Sequence, residues 1–170
     1  SPLTEINQGN VDQLRLAWSW EFAPAAPGSN GMQVEPTVYD GVIYIRHSNE
    51  KYSAHNAATG DLIWQYSRIL AAEVAGYETR LTVHRGRGVF IYEDKLISHS
   101  TDGMLFALNP RDGSLIWEVA MQDFRSGQQP SGAPVAYGGS LVVPYNCTAW
   151  TAHDPCHLSA YSTEDGSLLW

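Results

Sequence analysis

Four side chains that could cross-link or hold a metal ion lie within one eleven-residue stretch: Cys147, His153, Cys156 and His157. Two thiols at this spacing can close a disulfide loop, which would add about 2–3 kcal/mol by restricting the unfolded chain. A disulfide would also point to an oxidising compartment. The same four residues could instead gather a soft cation. Cys156 and His157 are sequence neighbours, however, which makes it hard for both to reach one ion, and the spacing fits no standard zinc pattern. Two free thiols are the third possibility. The Cys147–Cys156 disulfide is the expectation carried forward. No Cys-x-x-Cys-His is present, so these residues attach no haem covalently. Arg85-Gly-Arg-Gly88 is too short to follow a nucleotide fingerprint, and no Ser/His/Asp order offers a nucleophilic triad.

The elements that must position these groups are legible as a repeat. Ala54-His-Asn-Ala-Ala-Thr-Gly60-Asp-Leu-Ile-Trp64 returns as Ala107-Leu-Asn-Pro-Arg-Asp-Gly113-Ser-Leu-Ile-Trp117, and again as Ala160-Tyr-Ser-Thr-Glu-Asp-Gly166-Ser-Leu-Leu-Trp170. Ala precedes Trp by ten residues and Gly precedes it by four in every copy. Trp18, in Leu14-Arg-Leu-Ala-Trp18, resembles the tail of one more copy. Each Thr-Gly or Asp-Gly step lies between short strand-forming runs and reads as a hairpin turn. A second hairpin precedes each copy, clearest in Glu35-Pro-Thr-Val-Tyr-Asp-Gly41-Val-Ile-Tyr-Ile45. Each repeat therefore reads as four antiparallel strands, over roughly 34–68, 87–121 and 133–170. Four-stranded units of this length imply an all-β fold of propeller blades. On this reading 1–33 is an N-terminal segment with one strand of a closing blade (around Leu14–Trp20). Blades 1, 2 and 3 are then 34–86, 87–132 and 133–170. Trp18, Trp64, Trp117 and Trp170 are read as structural, because large aromatics dominate burial between packed sheets. Gly41 precedes Ala54 by 13 residues, whereas Gly139 precedes Ala160 by 21. The third repeat thus holds eight extra residues between its second and third strands, and both cysteines lie in that loop. Three blades close no ring, so the expectation is one part of a longer propeller or assembly.

Composition narrows the partners. The chain is 44% hydrophobic and 16% charged, which is globular rather than disordered. A formal charge of −8 opposes nucleic acid and anionic membrane as partners. No apolar run is long enough for a membrane helix. The start, Ser1-Pro-Leu-Thr-Glu, reads as mature protein from which a secretory signal could have been removed.

The tryptophan motif resembles the docking repeat of pyrroloquinoline quinone (PQQ)-dependent dehydrogenases. The opening, Ser1-Pro-Leu-Thr-Glu-Ile-Asn-Gln-Gly-Asn-Val through Leu16-Ala-Trp18, is similar to the start of that family. Arg87-Gly-Val-Phe-Ile-Tyr92 and Thr101-Asp-Gly-Met-Leu-Phe-Ala-Leu108 resemble its alcohol-oxidising branch. The resemblance implies an eight-bladed ring, of which this chain is the N-terminal part, with PQQ on the axis above a calcium or lanthanide ion. It implies a periplasmic enzyme that oxidises a small alcohol by hydride transfer and passes electrons to a cytochrome c or similar acceptor. Glu35, Arg87 and Ser131 fall where the family contacts the cofactor, and a guanidinium suits its carboxylates bidentately. Arg85 could take the same role as Arg87.

Departures from the family pattern are equally specific. The paired cysteines that cover the quinone in many members are replaced by Leu81 and Thr82. At the family's metal glutamate stands Ala149, which offers no oxygen to a hard cation; Asn146 and Asp154 are substitute candidates. The aspartate expected to accept the alcohol proton is not in this chain, so no catalytic residue is assigned here. The alternative reading is a non-catalytic propeller scaffold of the outer-membrane assembly type, or an inactive relative.

Overall fold

The two-residue turn Asp40-Gly41 sets the pattern for the chain. Both residues take positive φ, +48° and +73°, the geometry that joins right-twisted strands most closely. It links β1 (Thr37–Tyr39) to β2 (Val42–Arg46), with Thr37 opposite Tyr44. β3 (Lys51–Asn56) and β4 (Leu62–Ser67) complete a sheet in the order β1-β2-β3-β4. The computed structural model describes residues 4–21, 34–47, 50–70, 74, 88–126, 129–130, 134–146 and 157–170. A second sheet repeats the first: β5 (Phe90–Tyr92), β6 (Lys95–His99), β7 (Met104–Leu108) and β8 (Leu115–Ala120). The three sheets are the blades expected from the repeat.

The third sheet is built differently at its edges. β10 (Val135–Tyr137), β11 (Ser140–Asn146) and β12 (Leu158–Ser162) follow the expected order. Its fourth member is β9 (Gln129–Pro130), which pairs with Asn146 and Tyr145 at the far end of β11. The sheet therefore reaches upstream of residue 133. In place of an outer strand it has a single bridge, Tyr161 to Leu168. The segment around Leu14–Trp20 carries no strand pairing among the described residues; a short 3-10 turn, Val11–Gln13, precedes it.

The motif is one local structure built three times. Gly60, Gly113 and Gly166 each donate their N–H to the carbonyl four residues back, on Asn56, Asn109 and Ser162, at 2.8–3.0 Å. The side chains of Asn56, Asn109 and Ser162 cap the same turns by accepting backbone N–H bonds. This is why Asn or Ser recurs two residues after the motif Ala. Motif Ala and Trp are cross-strand partners in the first two blades, Ala54 with Trp64 and Ala107 with Trp117. A bulge follows Ala in both of these blades. In the third blade Ala160 donates to the Trp170 carbonyl at 2.8 Å.

Each tryptophan docks forward onto the next blade. A Cβ on Gly60 would stand 2.7 Å from Trp18, one on Gly113 2.6 Å from Trp64, and one on Gly166 2.7 Å from Trp117. Glycine is thus required twice, for its positive φ and for the ring lying on it. Trp18 Nε1 donates to Ala57 O (3.0 Å), and Trp64 Nε1 donates to Pro110 O (2.8 Å). The equivalent indole N–H of Trp117 has no partner. Two apolar seams form alongside. Tyr44, Tyr52 and Trp64 meet Leu96, Phe106 and Leu108 between blades 1 and 2. Ile97, Leu105 and Trp117 meet Leu141, Val143 and Tyr161 between blades 2 and 3. β7 feeds both seams with alternate residues, which explains its nearly unbroken apolar sequence.

Candidate functional site

Antiparallel alternation sorts the connections to two ends. Asp40-Gly41, Glu93-Asp94 and Gly138-Gly139 lie at one end with the docking turns. At the other end are the approach to β1, the β2–β3 and β6–β7 turns, and the approach to β5. The ends of β11 and β12 that flank the inserted segment are also there. Glu35 and the described neighbours of Arg87 and Ser131, namely Gly88 and Pro134, belong to this second end. Of the sequence-predicted cofactor residues, Glu35 is the one that lies among the described residues, and it lies at this end.

Blades 1 and 2 touch directly at that end. Thr37 Oγ1 donates to Val89 O at 2.6 Å. Gly88 is buried, with φ +105°, and a Cβ on it would stand 2.8 Å from the Glu35 carbonyl oxygen. Only glycine allows so close a backbone approach. Glu35 itself is exposed. The structure thus brings Glu35 against the residue that follows Arg87. Arg87, Ser131, Cys147, Asp154 and Cys156 lie outside the described residues, as does the side chain of Asn146. Among the described residues no three His, Cys, Asp or Glu side chains gather as a metal site.

Beside this contact is a charged cluster that the sequence reading did not identify. Arg46, at the end of β2, and Glu50, in the turn that follows, are 6% and 4% exposed. Arg46 Nη2 meets Glu50 Oε1 at 2.9 Å. The same oxygen accepts from Thr101 N (3.1 Å) and Thr101 Oγ1 (2.6 Å) across the seam, while Tyr52 Oη donates to Glu50 Oε2 at 2.9 Å. Burial alone would raise the Glu50 carboxyl, but Arg46 and the bonds from Thr101 and Tyr52 hold it below the usual range. Burial drives the Tyr52 phenol well above its ordinary value, so it stays a donor. Arg46 Nη1 is buried with no hydrogen-bond partner among the described residues. The signal available in the sequence was a charged residue in phase with Tyr44, two positions on, where alternation demands the same buried face.

On the opposite face of blade 1 a polar chain crosses the sheet. His47 Nε2 lies 2.6 Å from Ser53 Oγ, which lies 2.9 Å from His55 Nε2; His55 Nδ1 lies 3.1 Å from Gly60 O. The carbonyl can only accept, so Nδ1 of His55 carries the proton. In the neutral ring Nε2 then accepts from the Ser53 hydroxyl, whose oxygen in turn accepts from His47 Nε2–H. Trp20 covers both rings edge-on, at 5.5 Å from His47 and 4.4 Å from His55. Ser53 is fully buried and its hydroxyl is engaged by both imidazoles, so it has no hydrogen-bonding capacity to offer a substrate. At the far end of the blades a 460 Å³ cleft lies between Tyr39, Asp40, Glu93 and Arg111, and none of its lining residues was a predicted site residue.

Comparison with known proteins finds likeness over the whole chain. Residues 1–170 match the family model "PQQ: Glucose/ethanol/alcohol dehydrogenase, beta-propeller domain". The chain is 30% identical over 170 residues to the quinoprotein alcohol dehydrogenase PedH of Pseudomonas putida, covering all of this chain and 27% of that protein. It is 31% identical over 176 residues to the dehydrogenase subunit of the alcohol dehydrogenase (quinone) of Gluconobacter oxydans, again over its full length and 22% of the relative. The crystal structure of the quinohemoprotein alcohol dehydrogenase of Comamonas testosteroni superposes with a TM-score of 0.79 at 26% identity, over the whole chain and 24% of that structure. The chain therefore spans about a quarter of the length of these relatives.

Proposed function

The chain belongs to the glucose/ethanol/alcohol dehydrogenase β-propeller family, and from that premise we propose that it forms the first three blades of a periplasmic quinoprotein that oxidises an alcohol. The reaction removes a hydride from the carbinol carbon and a proton from the hydroxyl, leaving an aldehyde or ketone. PQQ, when bound, accepts the hydride, and its two electrons then leave to a cytochrome c or similar acceptor. The observation that carries this reading is the meeting of Glu35 with Gly88, next to Arg87, at the loop-bearing end of the blades.

The tricarboxylate quinone needs cations and aimed donors. Glu35, Arg87 and Ser131 would hold it, with Arg87 supplying the cation for a carboxylate, Glu35 a polar contact and Ser131 a hydroxyl. The buried, unpartnered N–H of Arg46 at this end is an observation of the kind such a ligand accounts for. The proton acceptor is an aspartate of a later blade, so these 170 residues alone are inactive. A loop closed by Cys147–Cys156 shapes the opening above the axis. The residues do not fit the ion as well as they fit the quinone: Ala149 stands where a metal carboxylate is expected. Asn146 and Asp154 are the candidates to replace it, and no step is derived through the calcium or lanthanide ion.

The test is mass spectrometry for PQQ released from the full-length protein on denaturation, followed by Arg87→Ala. Stoichiometric quinone, with affinity weakened at least ten-fold in the variant, is the expected result. Absence of quinone after incubation with PQQ plus calcium or a lanthanide would shift the reading to a non-catalytic scaffold.

A further inference from the structure

The buried pair Arg46–Glu50 lies where blade 1 meets blade 2 at the loop-bearing end, and its arginine is only half used. The register places it. Thr37, two residues after Glu35, faces Tyr44, two residues before Arg46. Cross-strand partners share a face. Thr37 and Tyr44 both reach into blade 2, through Val89 O and Pro110 O, so Arg46, two residues after Tyr44 on β2, continues on that same side. Gly88 receives the Glu35 backbone there, and Thr101 of blade 2 reaches Glu50 there.

The chemistry of the pair is unequal. Glu50 accepts four hydrogen bonds, from Arg46, Thr101 N, Thr101 Oγ1 and Tyr52, and needs nothing more. The guanidinium is pinned through Nη2 and stacked 5.7 Å from the centre of the Tyr52 ring, while Nη1 is buried and unsatisfied. A buried cationic donor without an acceptor is costly, and an incoming carboxylate relieves it most strongly.

We propose that Arg46 is a further cofactor-binding residue, whose Nη1 donates to a carboxylate of the tricarboxylate quinone while Glu50 holds the guanidinium in place. This rests on the quinone reading above and adds to it a second cation, from β2, besides Arg87. Glu50, Tyr52 and Thr101 are positioning residues.

The experiment measures PQQ binding to the full-length apoprotein by equilibrium dialysis with calcium present, on two variants whose melting temperatures are recorded. Arg46→Lys keeps a cation for Glu50 but cannot hold Glu50 and a second carboxylate in one rigid fork. Arg46→Met combined with Glu50→Gln removes both charges and leaves a neutral, similarly sized pair. Affinity for PQQ falling about ten- to a hundred-fold in a folded variant is the expected result. Unchanged affinity in either folded variant, whatever its melting temperature, overturns the assignment. If the parent protein binds no PQQ while Arg46→Lys only lowers the melting temperature, the quinone reading fails and this one with it. That result is separable from a parent that binds and variants that bind equally well.

Discussion

Gly41 and Gly113 have nearly the same backbone, φ +73° and +74°, and opposite surroundings. No atom lies within 4 Å of a Cβ built on Gly41, whereas one on Gly113 meets Trp64 at 2.6 Å. Gly41→Ala is therefore expected to cost about 1–2 kcal/mol, the strain of a left-handed residue. Gly113→Ala should cost that plus about 1–3 kcal/mol for displacing the indole, and paired urea denaturations read the difference. His47 carries a pH dependence at the same scale. Burial first, then His55 and Lys51, lower its pKa from 6.5 to about 4. The unfolded chain takes up a proton near 6.5 and the folded one only near 4. The contribution is thus complete above pH 6.5 and is lost as pH falls toward 4. It amounts to about 2 kcal/mol once partial exposure is allowed for. Stability measured between pH 7 and 4 should fall less steeply in His47→Gln; an unchanged slope would refute this assignment. These residue-level features were partly legible. Gly113 was read as a turn, but the ring lying on it comes from a blade 49 residues upstream, and no local pattern encodes that contact.

At the scale of elements, the blades are held by polar clasps as well as apolar seams. Arg68, just past β4, donates through Nε and Nη2 to Asp102 in the β6–β7 turn, at 2.8–3.2 Å, and through Nη1 to Glu118 on β8. Burial works against its charge, but Asp102 and Glu118 more than compensate and its pKa rises. Its side chain is 12% exposed and those of its partners 17% and 29%, so the clasp is largely sheltered from screening. Arg68→Ala strands two carboxylates and is expected to cost about 2–4 kcal/mol. Arg68→Lys should recover part of this but not the bidentate bond, and thermal unfolding of both variants distinguishes them. The strand order of the first two blades was legible because alternation, turn glycines and spacing all agreed. The edge of the third was not. β9 contributes two residues, and its pairing to the end of β11 depends on a long-range register that carries no periodic signal.

At the scale of the molecule, the motif tryptophan of the third blade lacks the cover that those of the first two blades have. Trp170 is 65% exposed, Leu168 64% and Leu16 83%, although the equivalent Trp64 and Trp117 are 8% and 9% exposed. If further blades follow, as proposed, Trp170 docks on a glycine turn of the next one. Its fluorescence in the full-length protein, read as the difference between the parent and Trp170→Phe, should then be shielded from iodide. The isolated 170-residue chain should expose it and self-associate through its uncovered sheet faces. A monomeric fragment with a shielded Trp170 would contradict this.

The sequence by itself determined the repeat, the all-β class and the number of four-stranded units in the chain. These follow from periodicity and turn chemistry, which act over a few residues. The tertiary structure alone decided that each tryptophan serves the following blade, that Glu35 meets Gly88, and that Arg46 is buried with one donor free. Those depend on how separate sheets stack, and stacking is settled by shape and desolvation between residues 30 to 60 positions apart, beyond the reach of any local pattern.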